Sequence, residues 1–320
     1  MLSGLLDALE WLTGFSDPLA WLVLATFVTG AVLEWRDHEW ARPAVTAGWG
    51  LFGVFWFTLI HHFTVTQRSI IEGIGSVAAV PLSLYAGYLL WNGRDSLFVL
   101  SRAVAVMGLV FFPFETVPLL KRFLVELVTG QVDFLVSLTG AEYTLIRGDH
   151  PVIDLDNTYP YENTFYFQDP DITYSIILAC TGIGSMSIFA GLIVATPAPL
   201  RRKIRALAVS LPVIYGLNLL RNVVIAVGFG EQRFHIFPNV VMSLFAIDDP
   251  LKVSYYIIDR IAAQSLSVVA LLGITYLVVR ELPEVLVIIE DLLYLVTGTE
   301  YDLRSTLDVS APTVRADGGD

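Results

Sequence analysis

Long apolar runs alternate with short polar stretches along almost the whole chain. A helix needs about 20 apolar residues to cross a hydrocarbon core of roughly 30 Å. Runs of this kind predict transmembrane helices at residues 18–34, 43–62, 69–91, 97–113, 173–195, 206–229 and 253–280. Two shorter runs, at 1–15 and 117–130, contain charged residues and predict helices that lie in the membrane interface. We therefore expect an all-α, polytopic membrane helical bundle with about seven or eight transmembrane helices.

Basic residues in short loops predict the orientation of this bundle. The densest basic loop is "PAPLRRKIR" at 197–205, which predicts that this end of the helices faces the cytoplasm. The same side then holds the polar stretches at 34–42 and 91–96 and also Arg280. We expect a multi-pass protein of the cell membrane with this orientation.

Two long polar segments, 114–172 and 230–252, then lie outside the membrane. The first mixes turn residues with alternating Tyr, Phe, Ile and Val, which predicts a small extracellular cap that is β-rich or irregular. The expected division is a membrane domain at 1–282, which includes the cap, and an acidic cytoplasmic tail at 283–320.

Composition agrees with a membrane protein. Hydrophobic residues make up 55% of the chain, charged residues 16%, and the mean hydropathy is +0.66. The net charge is −12, and the surplus acidic residues lie in the cap and the tail. This charge fits either a protein that works in high salt, as in a halophile, or an ordinary acidic tail. Nucleic acid is excluded as a partner, because no basic surface could neutralise its phosphates.

A single cysteine, Cys180, lies in the stretch "DITYSIILACTGIGSMSIFAG". Four residues at i, i+4, i+7 and i+11 share one face of a continuous helix: Cys180, Gly184, Ser187 and Gly191. That groove of small residues either packs against another helix of this protein or accepts a substrate helix. If the helix is distorted at Thr181 and Gly182, backbone N–H groups there become available to an oxyanion. The alternative for the cysteine is a buried packing residue.

Two arginines, Arg221 and Arg260, lie inside predicted transmembrane helices. An arginine in this position costs roughly 2.5–3.5 kcal/mol unless it is paired or faces a polar cavity. At 1.5 Å per residue, both arginines and Cys180 lie about 10–13 Å below the outer ends of their helices. Polar residues accompany them on the same helical faces: Asn218 near Arg221, and Tyr256, Gln264 and Ser267 near Arg260. The pattern predicts a polar pocket in the outer leaflet, with snorkelling to the interface as the alternative.

The motifs "ACTGIGS", "NLLRN" and "YYIIDR" resemble those of the exosortase/archaeosortase family. Many relatives carry a histidine where this chain has Arg260, and the arginine together with the acidic composition resembles the haloarchaeal branch. The resemblance implies that Cys180, Arg221 and Arg260 form the catalytic set of a cysteine endopeptidase, a thiol protease with transpeptidase activity. It also implies substrates with a C-terminal sorting tail made of a Pro-Gly-Phe motif, a transmembrane helix and a basic cluster. Such enzymes remove the tail and couple the new C-terminus to a membrane lipid, as on S-layer glycoproteins, with no cofactor.

The residues also constrain the chemistry. A guanidinium can stabilise a thiolate or an oxyanion but cannot act as a general base. We assign Arg221 mainly to the thiolate and Arg260 mainly to the oxyanion or the scissile carbonyl, although the two roles can be exchanged. The leaving amine takes its proton from Cys180, from water, or from a side chain such as those of His235, Tyr256 and Asp259. Asp259 points about 100° away from Arg260 on an α-helix, so we expect it to pair with another basic residue.

Two other classes of protein remain open at this level. A transporter could bind an anionic solute through its intramembrane arginines, and a structural protein could pair them across helices.

The adjacent His61 and His62 lack a further ligand at metal spacing, so we expect no metal. The basic end of a substrate tail is expected near residues 283–320. The pattern leaves the oligomeric state open.

Overall fold

The computed structural model describes residues 11–67, 70–151, 153 and 159–306. The expected interfacial helix at 1–15 lies mostly outside the described residues, as does the end of the acidic tail. The α-helices are α1 Ser16–Trp35, α2 Ala41–His61, α3 Ile70–Trp91, α4 Leu97–Thr116, α5 Pro118–Ser137, α6 Ile183–Ala195, α7 Leu200–Gly230, α8 Pro238–Phe245, α9 Val253–Tyr255, α10 Gln264–Glu281, α11 Leu286–Thr297 and α12 Leu303–Thr306. The strands are β1 Thr144–Arg147, β2 Glu162–Phe167 and β3 Ile172–Ser175. Short 3₁₀ turns lie at Leu178–Thr181, Pro250–Lys252 and Pro283–Val285, and π-helical segments at His62–Thr66 and Tyr256–Ala263.

Six helical segments of the described chain are long and apolar enough to cross a membrane. They are Ser16–Trp35, Ala41–Thr66, Glu72–Trp91, Leu97–Thr116, Leu200–Gly230 and Pro250–Glu281. The prediction of an all-α membrane bundle is confirmed. The predicted number of seven or eight helices is slightly too high.

The difference arises at the predicted helix 173–195. Only α6, with 13 residues, is helical there. The preceding residues form strand β3, which pairs with β2 from Thr164↔Ser175 to Phe167↔Ile172. An apolar run that pairs as a strand over its first part cannot be one transmembrane helix.

The cap is a three-stranded antiparallel sheet in the order β1-β2-β3. Strands β1 and β2 lie within the segment 114–172 that alternation predicted to be β-rich, whereas three of the four residues of β3 lie beyond it. Phe165 and Phe167 of β2 are buried, and they share one apolar core with Phe229 of α7 and Ile258 of the π-helical segment. The sheet is therefore packed directly on the transmembrane helices.

Helix α5 joins the bundle to this sheet. The expected interfacial helix at 117–130 is part of it, and Pro118 occupies its first turn, where proline is favoured. One face of α5 is buried against the cap core, through Leu124, Val125, Val128, Val132 and Val136. The opposite face exposes apolar residues such as Leu119, Phe123 and Phe134. Helix α5 is therefore apolar on both its buried and its exposed sides, and its expected position in the membrane interface stays a prediction.

Ion pairs connect the loops at the end of the bundle opposite the cap. Arg42 bonds Asp95 at 2.6 Å, and Arg102 bonds Glu34 at 3.1 Å. The C-terminal segment joins this network, since Arg94 bonds Asp291 at 2.8 Å and Glu300 at 2.7 Å, and Arg202 bonds Glu284 at 2.6 Å. The loops that were expected to share one side of the membrane therefore lie at one end of the structure.

The groove of small residues on α6 is filled in part by this protein. A Cβ atom on Gly191 would lie 2.4 Å from the Ala103 carbonyl oxygen of α4. At Gly184, by contrast, a Cβ atom would meet open space. The lower end of the groove is therefore an intramolecular packing surface, and only its upper end is accessible.

This packing yields a prediction for stability. Replacing Gly191 by leucine forces α4 and α6 apart, so it should lower the free energy of unfolding by about 1–3 kcal/mol. Gly50→Ala is the control, because its Cβ atom meets nothing within 4 Å. Thermal unfolding in detergent measures both variants. Equal midpoints for Gly191→Leu and the wild type would contradict the close contact.

Candidate active site

Cys180 lies in a backbone turn between the cap and the bundle. It belongs to the 3₁₀ turn that follows β3, and Gly182, with φ of +78°, begins helix α6. The prediction that Cys180 shares one face of a continuous helix with Gly184, Ser187 and Gly191 is therefore wrong, because the chain changes direction at Gly182. The distortion considered for Thr181 and Gly182 is present. The N-terminus of α6, which favours negative charge, follows directly after Cys180.

Two asparagines of α7 hold this turn in place. The amide groups of Asn218 and Asn222 donate hydrogen bonds to the Cys180 carbonyl oxygen at 2.7 and 2.8 Å. Asn222 is fully buried, and its amide oxygen accepts a hydrogen bond from the Tyr174 hydroxyl at 2.7 Å. The cysteine turn is therefore tied to α7 and, through Tyr174, to β3.

Thr181 and Gly182 allow the turn to form. The Thr181 hydroxyl is buried, donates to the Leu178 carbonyl at 2.7 Å and lies 3.4 Å from the Ile183 amide nitrogen. A Cβ atom on Gly182 would lie 3.0 Å from Asn218 Cγ. Glycine is needed here for its positive φ and for the close approach of α7.

The two predicted arginines meet at one carboxylate. Arg221 Nη2 donates to Asp259 Oδ1 at 2.5 Å, and Arg260 Nε lies 3.6 Å from Asp259 Oδ2. The Asp259 side chain is 5% exposed. The expectation that Asp259 pairs with another basic residue is confirmed by its contact with Arg221. Helix α7 and the π-helical segment thus bring both guanidiniums to one carboxylate.

The environment of the thiol contains opposing influences. Cys180 lies outside the six transmembrane segments. Burial has the largest effect on its thiol and raises the pKa above the usual value. A backbone hydrogen bond from Ile177, the charge of Arg221 and the Tyr174 hydroxyl lower that pKa, whereas Asp259 raises it. Burial also raises the pKa of Tyr174 well above its ordinary value, so its hydroxyl remains a donor at neutral pH. Burial therefore favours the neutral thiol, whereas the nearby Arg221 favours the thiolate.

Three other predicted residues make no hydrogen bond or ring contact with Cys180 among the described residues. Tyr256 packs on Phe245, with ring centroids 4.7 Å apart. Gln264 is half-buried at the start of α10, and His235 is exposed in the loop after α7. The hydrogen bonds and ring contacts given for the described residues join none of these three to Cys180.

Sequence reasoning missed two residues of the cluster, Tyr174 and Asn222. Asn222 stands in the "NLLRN" motif, four residues after Asn218, so its place on the same face of α7 could have been found. Tyr174 was hidden because it lies in a stretch that was assigned to a transmembrane helix. Its contact with Asn222 depends on β3 pairing with β2.

The turn at Gly182 yields a second prediction. Gly182→Ala requires an L-residue at positive φ and displaces Asn218, so it should destabilise the protein by about 1–3 kcal/mol. It should also change the rate at which iodoacetamide alkylates Cys180, because the Asn218 hydrogen bond to the Cys180 carbonyl is disturbed. Gly216→Ala on α7, where a Cβ atom meets open space, is the control. Unchanged alkylation and unfolding in Gly182→Ala would contradict this geometry.

Comparison with known proteins identifies the family of this chain. Residues 11–248 match the family model described as transmembrane exosortase, and this range contains Cys180 and Arg221. The chain is 51% identical over 304 residues to archaeosortase A of Haloferax volcanii, which covers 91% of this chain and 97% of the relative. It is 43% identical over 297 residues to archaeosortase A of Natronomonas pharaonis, covering 91% of each. No solved structure matches the chain. A multi-pass helical bundle with these matches along nearly its whole length belongs to the transmembrane exosortase family.

Proposed function

We propose that this protein is a membrane-embedded cysteine endopeptidase and transpeptidase that uses Cys180, Arg221 and Arg260. The observation that carries the proposal is the convergence of Arg221 and Arg260 on Asp259, beside the turn that holds Cys180. A thiol, two guanidiniums and a helix N-terminus are the groups that acyl transfer through a thioester requires. Family membership supports a sortase-like processing activity.

The proposed reaction begins with attack of the Cys180 sulfur on the carbonyl carbon of the scissile peptide bond. The thiol proton leaves the sulfur, and the carbonyl oxygen becomes an oxyanion. When the tetrahedral intermediate collapses, the C–N bond breaks and the departing amine takes up one proton, which balances the proton lost by the thiol. The products are a thioester on Cys180 and the released tail. A hydroxyl or amine of a membrane lipid then attacks the thioester, and the sulfur regains a proton.

The arginines have separate roles in this scheme. Arg221 stabilises the thiolate, because its charge lowers the pKa of the Cys180 thiol. Arg260 is assigned to the oxyanion or the scissile carbonyl. Its Nε atom, like that of Arg221, is buried and has no hydrogen-bond acceptor among the described residues, which leaves a donor for the substrate. The first-turn N–H groups of α6 offer further donors near the sulfur.

The proposed substrates are surface proteins with a C-terminal sorting tail, which consists of a Pro-Gly-Phe motif, a transmembrane helix and a basic cluster. S-layer glycoproteins are one such class. The tail helix approaches from the bilayer at the upper end of α6, where Gly184 faces open space. The site then faces the outer leaflet, with the basic cluster at the opposite end of the bundle. Asp291 and Glu284 already pair with Arg94 and Arg202 there, so contact between that cluster and the acidic tail remains a prediction.

The transporter alternative has less support. An anion pathway needs cationic groups that are free to bind the solute. Arg221 instead forms a close ion pair with the buried Asp259. The match to the exosortase family also favours a processing enzyme.

The role of Cys180 as nucleophile can be tested in cells. In Cys180→Ser and Cys180→Ala variants, surface proteins should keep their hydrophobic C-terminal tails, because no thioester can form. Mass and membrane attachment of those proteins give the measurement. Insertion of the variant into the membrane at wild-type levels is the control. Normal processing in such a variant would make Cys180 a packing residue.

The electrostatic role of Arg221 can be tested through pH. Because burial raises the pKa of Cys180, iodoacetamide alkylation of the wild type should reach its half-maximal rate at a higher pH than that of a free cysteine. Arg221→Gln removes a cation that stabilises the thiolate, so the midpoint should move higher still. Arg201→Gln, an exposed arginine at the other end of α7, should leave it unchanged. A midpoint that does not move in Arg221→Gln would contradict the assigned role.

A further inference from the structure

Asp259 and Arg260 are consecutive residues whose side chains are both largely buried. On an α-helix, Asp259 and Arg260 point about 100° apart. In the structure, both lie in the π-helical segment Tyr256–Ala263, whose wider turns often occur at functional sites. The Asp259 side chain is 5% exposed and that of Arg260 15% exposed. Two consecutive charged residues are therefore directed into the same buried region.

The carboxylate of Asp259 faces both arginines through different oxygens. Oδ1 accepts a hydrogen bond from Arg221 Nη2 at 2.5 Å, which is a close, charge-assisted contact. Oδ2 lies 3.6 Å from Arg260 Nε, which is an ion pair beyond hydrogen-bond distance. Tyr255 adds its hydroxyl near the same carboxylate. Among the ion pairs of the described residues, Asp259 is the only carboxylate that pairs with both guanidiniums.

The charges of this cluster balance only with Asp259 present. Arg221 and Arg260 carry two positive charges, and one carboxylate leaves a net charge of +1. A single negative charge, on the Cys180 thiolate or on the oxyanion, then makes the cluster neutral. Without the carboxylate, two uncompensated cations would lie close together in an apolar environment, where they repel each other and move apart.

We propose that Asp259 is a positioning residue, which holds the Arg221 guanidinium beside Cys180 and keeps Arg260 within reach of the same site. This inference rests on the proposed function and names a further residue for it. Asp259 acts through the two arginines and makes no contact with the substrate. Asp259 sets the distance between the two guanidiniums and the net charge around the thiolate.

The test combines tail cleavage with the titration of Cys180, the one cysteine in the chain. The charged or titratable groups that act on this thiol are Tyr174 of β3, Arg221 of α7, and Asp259 and Tyr255 of the segment before α10. Purified full-length Asp259→Asn keeps the size of the side chain and removes its charge. Its iodoacetamide alkylation should titrate at higher pH than the wild type, because Arg221, which lowers the pKa of the thiol more than Asp259 raises it, is no longer held beside Cys180. Cleavage of a tail-bearing substrate should fall roughly 10- to 100-fold, because Arg221 is no longer held in place.

Two further variants separate charge from geometry. Asp259→Glu keeps the charge and moves it, so its thiol should titrate near the wild type while cleavage is reduced. Glu34→Gln is the control, since Glu34 is half-buried and also pairs with an arginine, Arg102, at the opposite end of the bundle. It should leave both readouts unchanged.

The outcomes distinguish this inference from the function on which it rests. Wild-type cleavage in Asp259→Asn would overturn the positioning role. Reduced cleavage with an unchanged thiol titration would also overturn it, because Asp259 would then not act on the site through Arg221. If Cys180→Ser still cleaves the substrate, the proposed function fails. The titration of Asp259→Asn would even then show whether the carboxylate controls the environment of Cys180.

Discussion

The ion pair between Arg221 and Asp259 is the interaction on which the arrangement of the candidate site depends. An arginine inside a transmembrane helix is stable only with a partner or with water. Here the partner comes from a different segment, so the pair joins α7 to the π-helical turn before α10. Removal of one member of a buried pair is strongly destabilising, because it leaves an uncompensated charge. The position of Arg260, one residue later, follows from the same contact.

The cap has a structural role in the candidate site. Strand β3 leads into the turn that carries Cys180, and Tyr174 on that strand bonds Asn222 of α7. Asn218 and Asn222 then fix the carbonyl of Cys180. The turn that carries Cys180 is thus positioned by hydrogen bonds that involve a strand and a helix distant in sequence. These bonds fix the backbone of the turn at Cys180.

Much of this architecture could be predicted from local pattern. Six of the expected transmembrane helices were recognisable because each is a continuous apolar run of sufficient length, and Arg221 and Arg260 stood out as charges inside such runs. The stretch around Cys180 could not be assigned correctly, because hydropathy does not distinguish a strand that pairs with β2 from part of a helix. The pairing of Asp259 with a basic residue other than Arg260 was predicted correctly, although the π-helical turn that carries Asp259 has no clear signal in the residues themselves. The error at the cysteine concerns pairing between distant segments, which local periodicity does not contain.

The central claim is that Cys180 forms a covalent intermediate with the substrate. The most direct measurement is to trap the purified protein during turnover of a tail-bearing substrate and to examine the peptide that contains Cys180 by mass spectrometry. The account predicts an acyl adduct on Cys180 that neutral hydroxylamine removes, as expected for a thioester. Cleavage of the tail with Cys180 unmodified throughout turnover would contradict it.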